Sequence, residues 1–149
     1  MSVSKVKSEI TYGSTLMIVG KEWIVDAAGC REDYLRDLER LRAVFGRIIA
    51  ELELRVVGEP LWHQFPSPGG VTGLALLTES HLTCHTYPEF QVATFNLYCC
   101  RTRPDWPWAD RLREMLCAAD VSIRIVERCA LNNEDAFSQL SEHMVGSNS

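Results

Sequence analysis

From Val92 to Cys100 apolar and polar side chains take strict turns. Ala93, Phe95, Leu97 and Cys99 share one parity, and Thr94, Asn96, Tyr98 and Cys100 share the other. An extended strand sends successive side chains to opposite faces, so this stretch has one face suited to a core and one that stays wetter. A second pattern supplies the cover for the dry face. Tyr34, Leu38, Leu41, Phe45, Ile48 and Leu52 recur at intervals of three and four, which predicts an amphipathic helix from about Glu32 to Leu54. Leu16–Val19 and Trp23–Val25 flank Gly20-Lys21-Glu22, a first strand with a bulge expected at the glycine, and Ala27–Cys30 reads as its turn into the helix. Arg55–Phe65 holds a second strand, closed by the loop Pro66-Ser67-Pro68-Gly69-Gly70. Val71–Thr78 is a third, and Val121, Ile123 and Ile125 alternate as a last. Pro104 and Asp105 are read as opening a second helix whose buried stripe is Trp108, Leu112, Met115 and Leu116.

This order predicts an α+β fold, a two-layer α/β sandwich with a mainly antiparallel sheet covered on one face by two helices. Leu74 and Leu76 complicate it, because parity points them away from the side of Gly73 and Ala75. A sheet with apolar groups on both faces needs a second cover, and a sheet-to-sheet dimer supplies one. A chain of 149 residues, 46% hydrophobic and 23% charged, suits one domain. That domain is expected over 13–131, between a flexible N-terminus (1–12) and a polar C-terminal tail (132–149). The net charge of −5 with no basic stripe argues against nucleic acid as a partner. No stretch is apolar for long enough to span a bilayer, and no signal-peptide core is visible, so no membrane association is expected. The six cysteines then read as reduced thiols of a cytoplasmic protein.

The chemistry concentrates between Glu79 and Glu89, where Ser80, His81, Cys84 and His85 follow one another within a few residues. Several readings compete. Ser80 can be a polar residue at a strand edge and nothing more. His81, Cys84 and His85 have the donor types that zinc favours, although the paired Cys-x-x-Cys halves of common structural sites are missing. Cys84 or Cys100 could be a nucleophile activated by His85, but neither sits in a thiol-protease signature.

A fourth reading draws on most of the chain. Gly20-Lys21 with Asp26-x-x-Gly29-Cys30, then Gly70-Val71-Thr72-Gly73, Glu79-Ser80-His81, His85-Thr86-Tyr87-Pro88-Glu89 and Cys100 occur in one order. Together they resemble the prokaryotic-type S-adenosylmethionine decarboxylases, pyruvoyl-dependent enzymes that process themselves. The order of elements agrees from about Gly20 to Val126. The resemblance implies that the Ser80 hydroxyl attacks the Glu79 carbonyl and that elimination at the Ser80 α-carbon severs the resulting ester. The dehydroalanine left behind hydrolyses to a pyruvoyl group, the covalent cofactor. His85 is implied as the processing base, a role that suits a group titrating near neutrality, and Thr72 stands where the family usually has an assisting serine. The pyruvoyl carbonyl forms a Schiff base with the substrate amine and acts as the electron sink, so no metal and no added cofactor is expected. Cys100 matches the family's proton donor. Strand parity independently favours it over Cys99, which lies on the apolar face.

For the small-molecule substrate, the resemblance gives Glu89 to the ribose hydroxyls and Phe65 to the adenine. Departures from the family pattern are Tyr87 for a common tryptophan, Cys84 for a branched aliphatic, Glu22 for a frequent histidine, and a loop after Phe65 one residue longer than usual. The implied reaction is decarboxylation of S-adenosylmethionine to the aminopropyl donor of spermidine synthesis. The alternatives are the same chemistry on arginine or ornithine, or an uncut paralogue that binds a ligand or partner.

Overall fold

The alternating stretch forms a strand, Val92–Cys99, near the middle of a seven-stranded sheet in the computed structural model, which describes residues 3–5 and 16–131. In chain order the described elements are β1 (Val3–Lys5), β2 (Leu16–Ala28), α1 (Glu32–Leu35), α2 (Leu38–Glu51), β3 (Leu61–Gln64), β4 (Val71–Leu77), β5 (Ser80–Tyr87), β6 (Val92–Cys99), α3 (Trp108–Leu116) and β7 (Asp120–Leu131). The sheet order is β1-β7-β2-β6-β5-β4-β3, and every neighbouring pair is antiparallel except β1 with β7. Val3–Lys5, inside the stretch expected to be loose, thus pairs with the edge of the sheet. The rest of that stretch and the tail 132–149 lie outside the described residues.

Three local expectations are corrected. The single helix expected from Glu32 to Leu54 is two, because the Asp37 carboxylate accepts the Arg40 backbone N–H at 3.1 Å and caps a new start. Such a cap contributes about 1 kcal/mol and favours a helix beginning here over one running through. The second helix begins at Trp108 rather than at Pro104-Asp105. Asp105 is used elsewhere, accepting from Lys21 Nζ at 3.2 Å and Trp23 Nε1 at 3.1 Å, which holds its segment against β2. Ala27 and Ala28, read as a turn, stay paired with β6 and β7, and the turn comes at Gly29 with φ of +67°. The register shift expected at Gly20 is present, between Ile18 and Gly20 of β2. The Tyr98 ring occupies the space a Cβ at Gly20 would need.

Trp23, Val25, Ala27, Leu82, Phe95 and Leu97 are buried on one side of the sheet in a common core with Leu41, Phe45 and Ile48 of α2 and Leu112 and Leu116 of α3. The buried Thr86 hydroxyl accepts from Val71 N–H at 2.9 Å and donates to the Leu35 carbonyl at 2.8 Å, tying α1 to the β4–β5 pair. The opposite face is half-buried or open. Register across it sets His63, Thr72, His85, Thr94 and Asp26 in one row and Leu76, His81, Tyr98 and Glu22 in another. Leu74 and Leu76 are 41% and 58% exposed there.

β4 and β5 form a hairpin whose turn is Thr78-Glu79, with Leu77 paired to Ser80. A break after Glu79 would leave β1–β4 on one piece and β5–β7 on the other. Those strands interleave, β2 lying between β7 and β6, so the pieces share one sheet and cannot part without dismantling it.

Candidate active site

Ser80 opens β5 directly after the hairpin turn, opposite Cys99 of β6. That pairing carries the chain past Cys99 so that the Cys100 backbone N–H donates to the Glu79 carbonyl oxygen at 3.2 Å. This is the carbonyl of the Glu79–Ser80 peptide bond. A donor fixed on it stabilises the negative charge that oxygen acquires under attack by a hydroxyl. The Ser80 hydroxyl lies 3.4 Å from His81 Nδ1, and the Glu79 side chain is held by Arg103. The two adjacent cysteines differ as parity requires. Cys99 is buried, and burial with the nearby Glu79 pushes its thiol up to about 11, whereas the Cys100 side chain is exposed beside the turn. A thiol at Cys100 can meet a bound molecule; one at Cys99 cannot.

Five residues farther along β5 a second cluster gathers. Thr72 Oγ1 and His85 Nδ1 are 2.6 Å apart, a hydrogen bond that orients the ring. Tyr87 and Phe65 flank that ring at centroid distances of 4.5 and 5.6 Å. Phe65, His85, Tyr87 and Glu89 line one cleft of ≈ 390 Å³ together with Pro68 and Gly70. Gly70 leaves no room for a larger residue, since a Cβ there would sit 2.5 Å from the Thr86 carbonyl oxygen. Aromatic walls and a single carboxylate suit a flat ring carrying hydroxyl groups.

The structure therefore brings Thr72 to His85, Phe65 to Glu89, and Cys100 to the Glu79–Ser80 bond, but it does not bring His85 to Ser80 within one chain. At ~3.3 Å per residue they are about 17 Å apart along the strand. The imidazole beside Ser80 in its own chain is His81. The zinc alternative is not assembled either. Cys84 is buried among the core residues, its thiol pushed up to about 12 by burial, while His81 and His85 lie on the other face. The same burial removes Cys84 as a nucleophile. Reading the sequence weighed His81 only as a zinc donor and as part of the Glu79-Ser80-His81 motif, not as the imidazole beside the Ser80 hydroxyl, and it missed Arg103. His81 could have been found from its adjacency to Ser80, but nothing local links Arg103 to Glu79.

Comparison with known proteins gives a consistent result. Residues 21–129 match the family model described as S-adenosylmethionine decarboxylase. The S-adenosylmethionine decarboxylase proenzyme of Caldicellulosiruptor saccharolyticus is 33% identical over 114 residues, 74% of this chain and 88% of that protein. The proenzyme of Archaeoglobus fulgidus is 34% identical over 84 residues, 56% of this chain and 73% of that one. Among solved structures, the adenosylmethionine decarboxylase from Aquifex aeolicus superposes with a TM-score of 0.61 at 27% identity, covering 74% of this chain and 91% of the other. The family match spans the hairpin, both clusters on β5 and the strand that leads to Cys100, and the fold agrees over most of the chain: the chain belongs to the S-adenosylmethionine decarboxylase family.

Proposed function

We propose that this protein cuts itself between Glu79 and Ser80, converts Ser80 to a pyruvoyl group, and uses it to decarboxylate S-adenosylmethionine to the aminopropyl donor for spermidine synthesis. The observation that carries the proposal is the Cys100 N–H seated on the Glu79 carbonyl, at a hairpin tip whose next residue is a serine. A pyruvoyl group fits this position. Ser80 is anchored to β6 on the far side of the bond, so the new chain start stays beside Cys100 after cleavage. When formed, the group supplies a carbonyl that condenses with an amine and accepts the electron pair freed as carbon dioxide leaves. The protein's own residues do the remainder. Glu89 accepts hydrogen bonds from ribose hydroxyls, Phe65 stacks on adenine in the cleft they share, and the Cys100 thiol delivers a proton to the substrate α-carbon. Arginine and ornithine have no ring or sugar to use the aromatic wall.

The separation of His85 from Ser80 and the exposure of Leu74 and Leu76 support one arrangement: a two-layer sandwich, its helices on one side and a second copy on the open face. With a two-fold axis between the sheets and across the strands, the two β5 strands run in opposite directions. The Thr72–His85 pair of one copy then faces the Ser80–Cys100 end of the other. His85 acts as the processing base, and Thr72 orients it, across that interface. The setting is cytoplasmic, with no nucleic acid, membrane or metal taking part.

Two measurements test this. Intact mass of the purified protein should show a chain ending at Glu79 and one starting with pyruvate. Carbon dioxide release compared for S-adenosylmethionine, arginine and ornithine should favour the first. A chain that stays whole on long incubation contradicts the cleavage, and turnover of only arginine or ornithine contradicts the substrate.

A further inference from the structure

We infer that Arg103, with Arg55 and Arg101 beside it, forms a carboxylate-receiving site for the chain end that self-cleavage creates at Glu79, and that it speeds the step that creates it. The inference rests on the self-cleavage reading above. It starts from a cavity of ≈ 760 Å³ beside the hairpin turn, lined by Glu53, Arg55, Thr78, Glu79, Arg101 and Arg103. Three guanidinium groups thus meet two carboxylates. Arg103 is committed to the Glu79 side chain, the two being 21% and 14% exposed. Among the described residues Arg55 and Arg101 have no ion-pair partner. Glu79 Oε2 and Arg103 Nε are buried without a hydrogen-bond partner, so the pair is unsaturated on both sides.

Cleavage changes the charge count at this place. In the ester, the Glu79 acyl group sits on Ser80 Oγ and is neutral. A base then removes the Ser80 α-proton, the C–H electron pair becomes the second bond between Cα and Cβ, and the Cβ–Oγ bond breaks. Its electron pair leaves on the Glu79 carboxylate. Glu79 now carries two negative charges where it had one, and Arg103 neutralises only the first. Arg55 and Arg101 are the cations within the same cavity that can take the second. A cation that meets the leaving carboxylate more strongly than the neutral ester lowers the barrier to elimination. The new end is also held in place. Thr78 N–H donates to the Arg55 carbonyl at 2.9 Å and Val57 N–H to the Leu76 carbonyl at 2.8 Å, and Val56 bridges Leu77.

The test follows the newly made full chain by intact mass over time, with and without hydroxylamine. Hydroxylamine attacks the ester and releases a chain ending in a Glu79 hydroxamate and one starting with an unmodified Ser80. Arg55→Gln with Arg101→Gln, and Arg103→Gln, should each cut about ten- to a hundredfold more slowly than wild type and accumulate the hydroxylamine-sensitive ester. Lysine at the same positions should recover much of the rate. Variants that cut at the wild-type rate overturn the inference while leaving the self-cleavage reading intact. Slow cutting without accumulated ester also overturns it, because the defect then lies in folding or in the first attack. A wild-type chain that never cuts overturns the self-cleavage reading, and this inference with it.

Discussion

The two ends of β5 are built by different means. At the Ser80 end the decisive contacts are made by backbone: a two-residue turn, a strand pairing with Cys99, and the Cys100 N–H on the Glu79 carbonyl. At the Glu89 end they are made by side chains, with Thr72 orienting His85 and three aromatic or imidazole rings walling a cleft. The first end has a hydroxyl, a carbonyl that accepts a backbone N–H, and an exposed thiol. The second has an oriented imidazole, a hydroxyl and an open cleft. Each has what the other lacks, and the rise of a strand keeps them about 17 Å apart in one chain. In the arrangement proposed above, that difference is what a second copy makes good.

The comparison can be broken at either end, and the effects should differ in kind. The largest is expected from Ser80→Ala, which should abolish both cutting and carbon dioxide release; intact mass and gas release measure them separately. In the wild type the two pieces should co-purify and separate only in denaturant, because their strands interleave. Cys100→Ala should come next. It keeps the backbone N–H, so cutting should proceed, while turnover should fall by about two orders of magnitude or more as protonation fails. Repeated turnover should also inactivate the protein through misdirected proton transfer. Loss of cutting in this variant would mean that the thiol rather than the N–H serves the first step.

At the other end, Glu89→Gln should leave cutting largely intact and raise KM for S-adenosylmethionine about ten- to a hundredfold, the effect of losing roughly 1.5–3 kcal/mol of charge-assisted hydrogen bonding. An unchanged KM would remove Glu89 from the ribose. The last effect, absent near neutrality, is on pH stability. Burial pushes the Cys30, Cys84 and Cys99 thiols up to about 11, 12 and 11 from the ordinary 9.0. Each is held neutral in the fold and ionises more readily when unfolded, so the unfolded chain loses protons first as pH rises. Stability should be unaffected by these groups below about pH 8 and fall between pH 9 and 12. A denaturant midpoint that stays flat across that window would contradict their burial.

What the sequence revealed depended on how local the cause was. The alternation of β6, the bulge at Gly20 and the strand leading to Glu79 were readable because each depends on neighbours in sequence. The split between α1 and α2 was not, since the apolar period runs through Asp37 and only its cap bond to Arg40 shows that the helix restarts. Asp105 looked like a helix start until Lys21 and Trp23, both more than eighty residues away, claimed its carboxylate. Residue types in the site were visible, and Phe65 and Glu89 do share a cleft. The spacing of Ser80 and His85 already put them about 17 Å apart on an extended strand, a distance that the motif's compactness in sequence concealed. The Glu79–Arg103 pair left no sequence signal, because only the closing of the sheet brings them together.

The central claim, that each site joins the Ser80 end of one copy to the His85 end of another, has a direct test in mixed dimers. Ser80→Ala and His85→Ala chains, each made alone, should stay uncut. Made together, half of the sites in a mixed dimer would pair an intact Ser80 with an intact His85. The account predicts that the His85→Ala chain, identified by its mass, becomes cut only when the Ser80→Ala chain is present. A His85→Ala chain that remains whole in verified mixed dimers, or that cuts at the wild-type rate by itself, would contradict it.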